Sequence, residues 1–408
     1  MDQNTLIPQL FRTEYRKIVS VLCRRFGFEH IETAEDITSD TFLTAAESWG
    51  QNGLPENPTA WLYAVAKNNA LNYLQRTSTF EKKVTPEIQL STSDADEEAI
   101  DLSPQNINDS QLQMMFALCH PAIPPEAQIG LSLRILCGFG IEEIADAFLT
   151  NKETVNKRLF RAKEKLRDAG IKIELPSPEE IDARLDTVLQ TIYLLFNEGY
   201  YSVSQNTTLR KDLCLEAMRL CSMLLENERT NTPAANALLS LMCFHASRFE
   251  ARMDRDGEPV LYDDQDPGLW NTDLIGRGGY FLNRAATGTQ LSRYHLEAAI
   301  AYWHTVKAGT GEKWENILQL YNQLLQIEYS PVAALNRTYA LSRARGKYVA
   351  IAEAEKLNLT DNHFYYVLLG ELYTDVDNEK AKRYFQQGLA LAKTATDKKS
   401  IQKKIDKL

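Results

Sequence analysis

Apolar residues recur at helical spacing along most of the chain, and the alternation typical of β-strands is scarce. Intervals of three and four residues between apolar positions are typical of amphipathic helices. The pattern therefore predicts an all-α fold. Pro, Ser and Gly signals after Ala169 mark the start of a further domain. The predicted organisation is a helical block at 1–80, a linker at 81–110, a second helical block at 111–170 and a long helical array at 181–408.

Residues 141–167 predict two short helices joined by a tight turn. In the second helix an apolar stripe is formed by Val155, Leu159, Ala162 and Leu166. The opposite side carries Thr154, Lys157, Arg158, Arg161 and Lys165. The first helix has a matching inward side, Ile141, Ile144, Ala145 and Phe148. This layout is typical of a helix-turn-helix, whose second helix enters the major groove of DNA.

The charge of this motif contrasts with that of the whole chain. Residues 152–167 carry seven basic and two acidic side chains, whereas the 408-residue chain has a net charge of −10. A protein that holds DNA alone usually needs a broad basic surface. We therefore expect a local DNA contact, with another molecule supplying much of the electrostatic affinity. The alternative is a basic helix face that is merely solvated.

Two polar helix faces are predicted in the first block. The helix at 58–76 has its apolar side chains on one side, and its outward face carries Trp61, Asn68, Asn69, Asn72 and Arg76. Amides can hydrogen-bond to base edges, and aromatic rings can stack on unpaired bases. Alternatively, Trp61 packs on a neighbouring helix. In the helix at 33–49, Ile37 and Phe42 can pack inward, while Asp36 and Asp40 lie on an outer edge that is either solvated or docks a basic partner helix.

At this point the motifs resemble those of bacterial extracytoplasmic-function sigma factors. The resemblance rests on the order AED, DTF and SW, then NPTAWLYAVAKNNALNYL, an acidic linker and IEEIADAF with ETVNKRLFRAKEKLR. It covers roughly residues 5–78 and 111–168. It implies that the first block binds the β′ clamp helices of core RNA polymerase and melts the −10 element of promoter DNA. It also implies that the second block reads the −35 element and contacts the β flap.

The resemblance assigns residues of this chain to three surfaces. The polymerase-binding positions are Asp36, Asp40 and Phe42. The −10 positions are Trp61, Asn68, Asn69, Asn72 and Arg76. The −35 positions are Thr154, Asn156, Lys157, Arg158, Phe160, Arg161 and Lys165. This chain departs from the family at Ser39, which replaces a usual Gln, and at Asn156 and Lys157, which replace a frequent Arg and Ser.

The segment after residue 170 is longer than in ordinary members of this family. Residues 314–346 and 363–392 resemble tetratricopeptide units, whose stacked helix pairs form a concave surface for a peptide or protein partner. Residues 192–201 and 261–270 resemble signatures of a long sigma-factor subgroup with such an extension. The resemblance implies that the extension regulates sigma activity.

Composition and residue spacing limit the location and the chemistry that we expect of this protein. The start of the chain lacks the apolar core of a signal peptide, and no apolar run reaches eighteen residues, so we expect a cytoplasmic protein with no membrane partner. The six cysteines have no metal-ligand spacing and are predicted to be buried thiols. The segment that begins with Asp254 and Asp256 starts like a calcium loop but has Gln265 at the twelfth position, so we interpret it as a polar loop. We expect no metal, no cofactor and no enzymatic activity.

Three alternatives to a sigma factor remain open from the sequence. A helix-turn-helix repressor with a tetratricopeptide-like partner domain would bind promoter DNA without polymerase. An adaptor would use the basic helix to contact another protein, and an enzyme could lie in the C-terminal region. The first block argues against a simple repressor, which needs neither the helix of Asp36 and Asp40 nor that of Trp61 and Asn72.

Overall fold

A computed structural model describes residues 3–84, 100–148, 150–200, 210–253, 260, 262–288, 290–307 and 310–408. These residues form α-helices and short helical turns without any β-strand, which confirms the all-α prediction. The chain divides into two compact units, Met1–Leu194 and Leu195–Leu408.

Seven helices lie wholly in the first unit: α1 Gln3–Phe26, α2 Ile31–Asn52, α3 Pro58–Val84, α4 Pro104–Leu118, α5 Pro125–Leu131, α6 Ile141–Ala147 and α7 Lys152–Asp168. A π-helical turn, Ser132–Leu136, continues α5. Helix α8, Ile181–Tyr200, begins in the first unit and crosses the boundary between the units.

Helix α4 begins earlier than the sequence pattern predicts. The side chain of Ser103 accepts a hydrogen bond from the amide of Asn106, and Pro104 occupies the first helical position. Both features stabilise a helix start: the N–H groups of the first turn have no partner within the helix, so Ser103 can accept from one of them and proline, which has no N–H, leaves none unpaired. The predicted linker at 81–110 therefore ends before Pro104, and its residues 85–99 lie outside the described residues.

Helix α1 is the packing centre of the first unit. Its residues Tyr15, Ile18 and Leu22 are buried, and α2, α4 and the π-helical turn all pack on α1. Gly138 has a φ of 75°, and a Cβ there would lie 3.1 Å from the carbonyl oxygen of Arg12. A glycine is therefore required where the turn before α6 meets α1. The two sequence blocks thus share one core.

The first part of α8 belongs to this core as well. Arg184 donates a hydrogen bond from Nη2 to the carbonyl oxygen of Phe116 at 2.6 Å. Thr191 donates from Oγ1 to Oε1 of Gln128 at 2.9 Å. The first unit therefore ends near Leu194, beyond the boundary predicted at residue 170.

The second unit is a helical array in which sequential helices contact each other. Its helices are α9 Lys211–Glu226, α10 Pro233–Ala246, α11 Thr272–Ala285, α12 Arg293–Trp303, α13 Gly311–Ile327, α14 Pro331–Arg345, α15 Lys347–Leu357, α16 His363–Tyr373, α17 Asn378–Leu391 and α18 Ala395–Ile405. A Cβ on Gly370 would lie 2.6 Å from the ring of Phe385, so the crossing of α16 and α17 requires a residue without a side chain. Helix pairs therefore occupy both stretches predicted to resemble tetratricopeptide units.

All six cysteines are buried free thiols, as the sequence predicts. Burial raises the pKa of the Cys119 thiol to about 11 and that of Cys214 to about 12. Among the described helices, none is both long and apolar enough to span a bilayer.

Candidate nucleic-acid interface

Helix α7 is fixed in place by its cap and by its apolar stripe. Oδ1 of Asn151 accepts a hydrogen bond from the amide of Thr154 at 2.8 Å, which satisfies a free donor of the first turn. The predicted stripe is buried as a whole: Val155, Leu159, Ala162 and Leu166. Leu159 packs against Gly130 of α5, where a Cβ would lie 3.0 Å from the leucine methyl group. The inward face of α7 is therefore as predicted.

The outward face of α7 carries the predicted DNA-reading side chains. Asn156, Lys157, Phe160, Arg161 and Lys165 are exposed, and Thr154 and Arg158 are partly buried. Phe160 is 62% exposed, which is unusual for an aromatic residue on a charged helix. The guanidinium carbon of Arg158 lies 5.9 Å from the centre of the Phe148 ring. This face offers cations, an amide and a ring to an outside partner.

Two other cations of α7 contact α2 instead. Nζ of Lys163 lies 2.5 Å from a carboxylate oxygen of Glu35, and Nη2 of Arg167 lies 2.9 Å from Glu32. Arg134 also pairs with Glu35, at 3.2 Å. The side chains of Lys163 and Glu35 are only 12% and 13% exposed, so solvent screens this pair weakly. This contact was not predicted from the sequence, although Glu32 and Glu35 are three residues apart on one helix face.

Helix α2 presents Asp36 and Asp40 to solvent, as its predicted docking role requires. Phe42 is different, because it is 5% exposed and its ring lies 5.0 Å from that of Phe11. Phe42 also contacts Tyr15, at 6.5 Å between ring centres. It belongs to the core rather than to the docking surface, which corrects the prediction for that residue.

Helix α3 separates its two faces. Inward, Leu62, Ala66 and Ala70 are buried, and Tyr63 donates a hydrogen bond to Oε2 of Glu14 at 2.6 Å. Burial and this bond raise the pKa of the Tyr63 hydroxyl. Outward, Asn68, Asn72 and Arg76 are exposed and Asn69 is partly buried.

Trp61 packs against α2 and stays partly exposed. Its ring packs edge-on against the buried Trp49 of α2, with 5.4 Å between ring centres. It is nevertheless only partly buried. Packing against Trp49 fixes the ring without removing it from the polar face of α3.

Within the described ranges, no three or more His, Cys, Asp or Glu side chains are grouped so that they could hold a metal ion. Asp254 and Asp256, at the start of the calcium-loop-like segment, lie outside the described residues.

The chain matches three protein families. Residues 10–79 match Sigma-70 region 2, and residues 113–166 match Sigma-70 region 4. Residues 184–286 match a family of unknown function, DUF6596.

Similarity to individual proteins covers the chain to different extents. An uncharacterized protein of Rhizobium meliloti is 34% identical over 388 residues, covering 93% of this chain and 91% of that protein. The ECF RNA polymerase sigma factor SigE of Mycolicibacterium smegmatis is 28% identical, covering 39% of this chain and 60% of that protein. The RNA polymerase sigma factor YlaC of Bacillus subtilis is 26% identical, covering 41% and 93%.

The comparisons agree with the geometry of the first unit. Region 2 coincides with α1–α3, which carry the acidic and amide-rich faces, and region 4 coincides with α4–α7, which end in the helix-turn-helix. Both regions occur in this chain in order, and both named relatives are RNA polymerase sigma factors, one of them of the ECF type. The chain belongs to the extracytoplasmic-function family of sigma factors.

Proposed function

We propose that this chain binds core RNA polymerase through α2, opens the −10 element with α3 and reads the −35 element with α7. One observation carries the proposal: three faces of different chemistry are exposed on one unit. Asp36 and Asp40 are carboxylates, Asn68 and Asn72 are amides, and Lys157 with its basic neighbours forms a cationic face. Carboxylates suit a basic protein helix, amides suit base edges, and cations suit phosphates.

The geometry of DNA requires the two sequence blocks to separate during this function. The −10 and −35 elements are roughly 25 base pairs apart, or about 85 Å of B-form DNA. A compact unit of the first unit's length has a radius of gyration of about 16 Å and is therefore about 45 Å across. In our proposal, the ion pairs between α2 and α7 hold a closed form, which opens when polymerase and promoter are bound.

We propose that the second unit regulates how much of the sigma factor is available. Its paired helices supply a surface of the kind that binds a peptide or protein segment. Transcription with core polymerase should therefore differ between the full chain and a protein ending at Tyr200. We expect less transcription from the shortened protein, and equal transcription from both proteins would contradict a regulatory role.

A promoter-binding experiment tests the proposed DNA role. A promoter fragment is titrated with the full chain, with and without core polymerase, at fixed salt. Because the chain is acidic outside α7, we expect tight binding only when polymerase is present. Equally tight specific binding without polymerase would favour the helix-turn-helix repressor.

A further inference from the structure

Cations gather around one tyrosine ring in the second unit. Measured to the centre of the Tyr262 ring, Nζ of Lys313 is at 5.1 Å, Nζ of Lys307 at 5.3 Å and the guanidinium carbon of Arg248 at 5.5 Å. Arg343 joins the group, since it lies 4.8 Å from the centre of the adjoining Trp314 ring. We call these four residues and Tyr262 the cationic cluster.

Most hydrogen bonds of the cationic cluster go to neutral groups. Nζ of Lys307 donates to the carbonyl oxygens of Tyr262, Asp263 and Gln265 at 3.1, 3.1 and 2.8 Å. Lys313 is buried and donates to the hydroxyl of Tyr262 at 2.8 Å and to the carbonyl of Val306.

Carboxylates are scarce around the cationic cluster. Within the described ranges, Asp263 is the one carboxylate that forms an ion pair with these four cations, and it pairs with Arg343 at 3.0 Å. Among the described residues, these four cations therefore have a single paired carboxylate.

Buried donors around the same ring have no acceptor among the described residues. These atoms are Nε of Arg248 and the indole nitrogens of Trp270 and Trp314. Nδ1 of His304 is also buried without a partner. The ring centres of Trp270 and His304 lie 6.3 and 5.1 Å from that of Tyr262, so all four groups border the cationic cluster. An indole nitrogen and an arginine nitrogen can only donate, so the deficit is of acceptors.

Within the described part of the chain, the cationic cluster is short of both hydrogen-bond acceptors and negative charge. Buried polar groups are almost always hydrogen-bonded, and like charges in a poorly solvated place repel each other. Burial, followed by the charges of Arg248, Arg343 and Lys307, lowers the pKa of Lys313 to about 8 even though Asp263 opposes the shift. A group that brings negative charge and several acceptor oxygens would relieve both deficits. The cationic cluster also reaches the surface, because Tyr262 is partly exposed and Arg343 is exposed.

We infer that the cationic cluster is a binding site for a compact oxyanion, the carboxylate or phosphate group of a small molecule. Arg248 and Lys313 would supply charge and donors from inside, Arg343 would supply charge at the mouth, and the two indole N–H groups would complete the oxygen contacts. The site belongs to the second unit, whereas α2, α3 and α7 belong to the first. A test of this anion site is therefore independent of the sigma activity.

Anion titration of the full-length protein tests the site. Sodium phosphate and sodium succinate are titrated separately at an ionic strength held constant with sodium chloride. Binding is followed by calorimetry and by tryptophan emission, since Trp270 and Trp314 border the site. We expect saturable binding of at least one anion, and the stronger of the two identifies the oxygen chemistry. Arg248→Gln should weaken that binding roughly tenfold or more, because a hydrogen bond to a charged group is lost.

Matched variants keep the result interpretable. Arg284→Gln removes an arginine that also lies over a tyrosine ring, at 5.9 Å from the centre of Tyr280, but outside the cationic cluster. It should bind the anion as the wild type does. If Arg248→Gln does not fold, Arg343→Gln replaces it, because this exposed residue can be changed without disturbing the core.

Three results would overturn the inference. The first is no saturable binding of either anion by the wild type, and the second is equal binding by the wild type and the folded cluster variant. The third is binding that occurs only after Asp254, Asp256 and Glu258 are neutralised to Asn, Asn and Gln. That result would mean that the chain's own carboxylates supply the negative charge.

Discussion

Asp36 and Phe42 lie on the same helix and have opposite surroundings. Asp36 is exposed with Asp40 one turn later, whereas Phe42 contacts Phe11 and Tyr15 in the core. A partner that docks on α2 therefore meets carboxylates and not the phenyl ring. Phe42 contributes indirectly, by holding α2 against α1.

Reversing the two exposed charges should weaken binding of core polymerase. We expect Asp36→Arg with Asp40→Arg to lower the affinity roughly tenfold or more, because arginines would face a basic partner helix. Fluorescence titration against core enzyme measures the effect. Glu29→Arg with Glu56→Arg is the matched control, since it changes the net charge equally at exposed positions outside α2. Equal affinity of both double variants would exclude Asp36 and Asp40 from docking.

Lys313 should make stability depend on pH in a defined direction. Its pKa is lowered from 10.5 to about 8 in the folded protein. Between these values the unfolded chain binds more protons than the folded chain, so raising the pH stabilises the fold. Relative to Lys313→Met, the wild type should gain about 2 kcal/mol in free energy of unfolding between pH 7 and 9.5. Urea unfolding in chloride buffers measures this gain, and a constant difference between the two proteins would refute the shift.

Individual residues differ in how far the sequence could predict them. Val155 and Leu159 follow helical periodicity, so their burial was predictable from local spacing alone. Trp61 could not be assigned to packing or to exposure, because its contact with Trp49 depends on how α2 and α3 cross. The burial of Glu35 was not predictable either, since its partners Arg134 and Lys163 are about a hundred residues away along the chain.

Helices α2 and α7 each have a surface proposed for an outside partner, and they also contact each other. Lys163 and Arg167 lie on α7 beside the predicted DNA-reading face, and Glu32 and Glu35 lie on α2 beside the docking face. Partly buried ion pairs are costly to break singly, because the remaining charge loses its partner. This contact therefore opposes the separation of α2 from α7.

Charge reversal on α7 should open the first unit, and reversal of its partner should close it again. We expect Lys163→Glu to lower energy transfer between dyes on cysteines introduced at Thr44 and Asp168, both exposed. The double variant Lys163→Glu with Glu35→Lys should recover most of the transfer, because the pair is restored with reversed polarity. Lys165→Glu is the control for charge on the same helix. Unchanged transfer in Lys163→Glu would mean that these ion pairs do not hold the closed form.

Helix α8 runs from the first compact unit into the second and contributes to the core of the first. Leu185 and Val188 are buried, and Thr191 bonds to Gln128 of α5. A sigma fragment ending at Gly170 would lose these contacts. The predicted domain boundary missed them, because the Pro and Ser signals near 176 mark the start of a helix and not the end of a core.

Two shortened proteins test the contribution of α8. The protein ending at Gly170 should unfold at a temperature roughly 10 °C lower than the protein ending at Tyr200, since several kcal/mol of packing and hydrogen bonding are lost. Thermal unfolding followed by circular dichroism measures the difference. Equal midpoints would show that α8 is not part of the first core.

Only part of the second unit could be predicted from the sequence. Its helices and the small residue at Gly370 follow from local patterns. The cationic cluster does not, because Arg248, Tyr262, Lys313 and Arg343 are brought together from different elements by packing. Long-range assembly of this kind leaves no periodic signal in the sequence.

Runoff transcription with purified core polymerase on genomic DNA fragments is the most direct test of promoter recognition by this chain. We expect transcripts with discrete start sites that require this protein, with permanganate-reactive thymines at the same promoters. Asn72→Ala should reduce the opening of DNA, and Arg161→Ala should lower output by the equivalent of about 1–3 kcal/mol of binding. No protein-dependent transcript on any fragment, or normal opening and output by both variants, would contradict the assignment of α3 and α7 to promoter DNA.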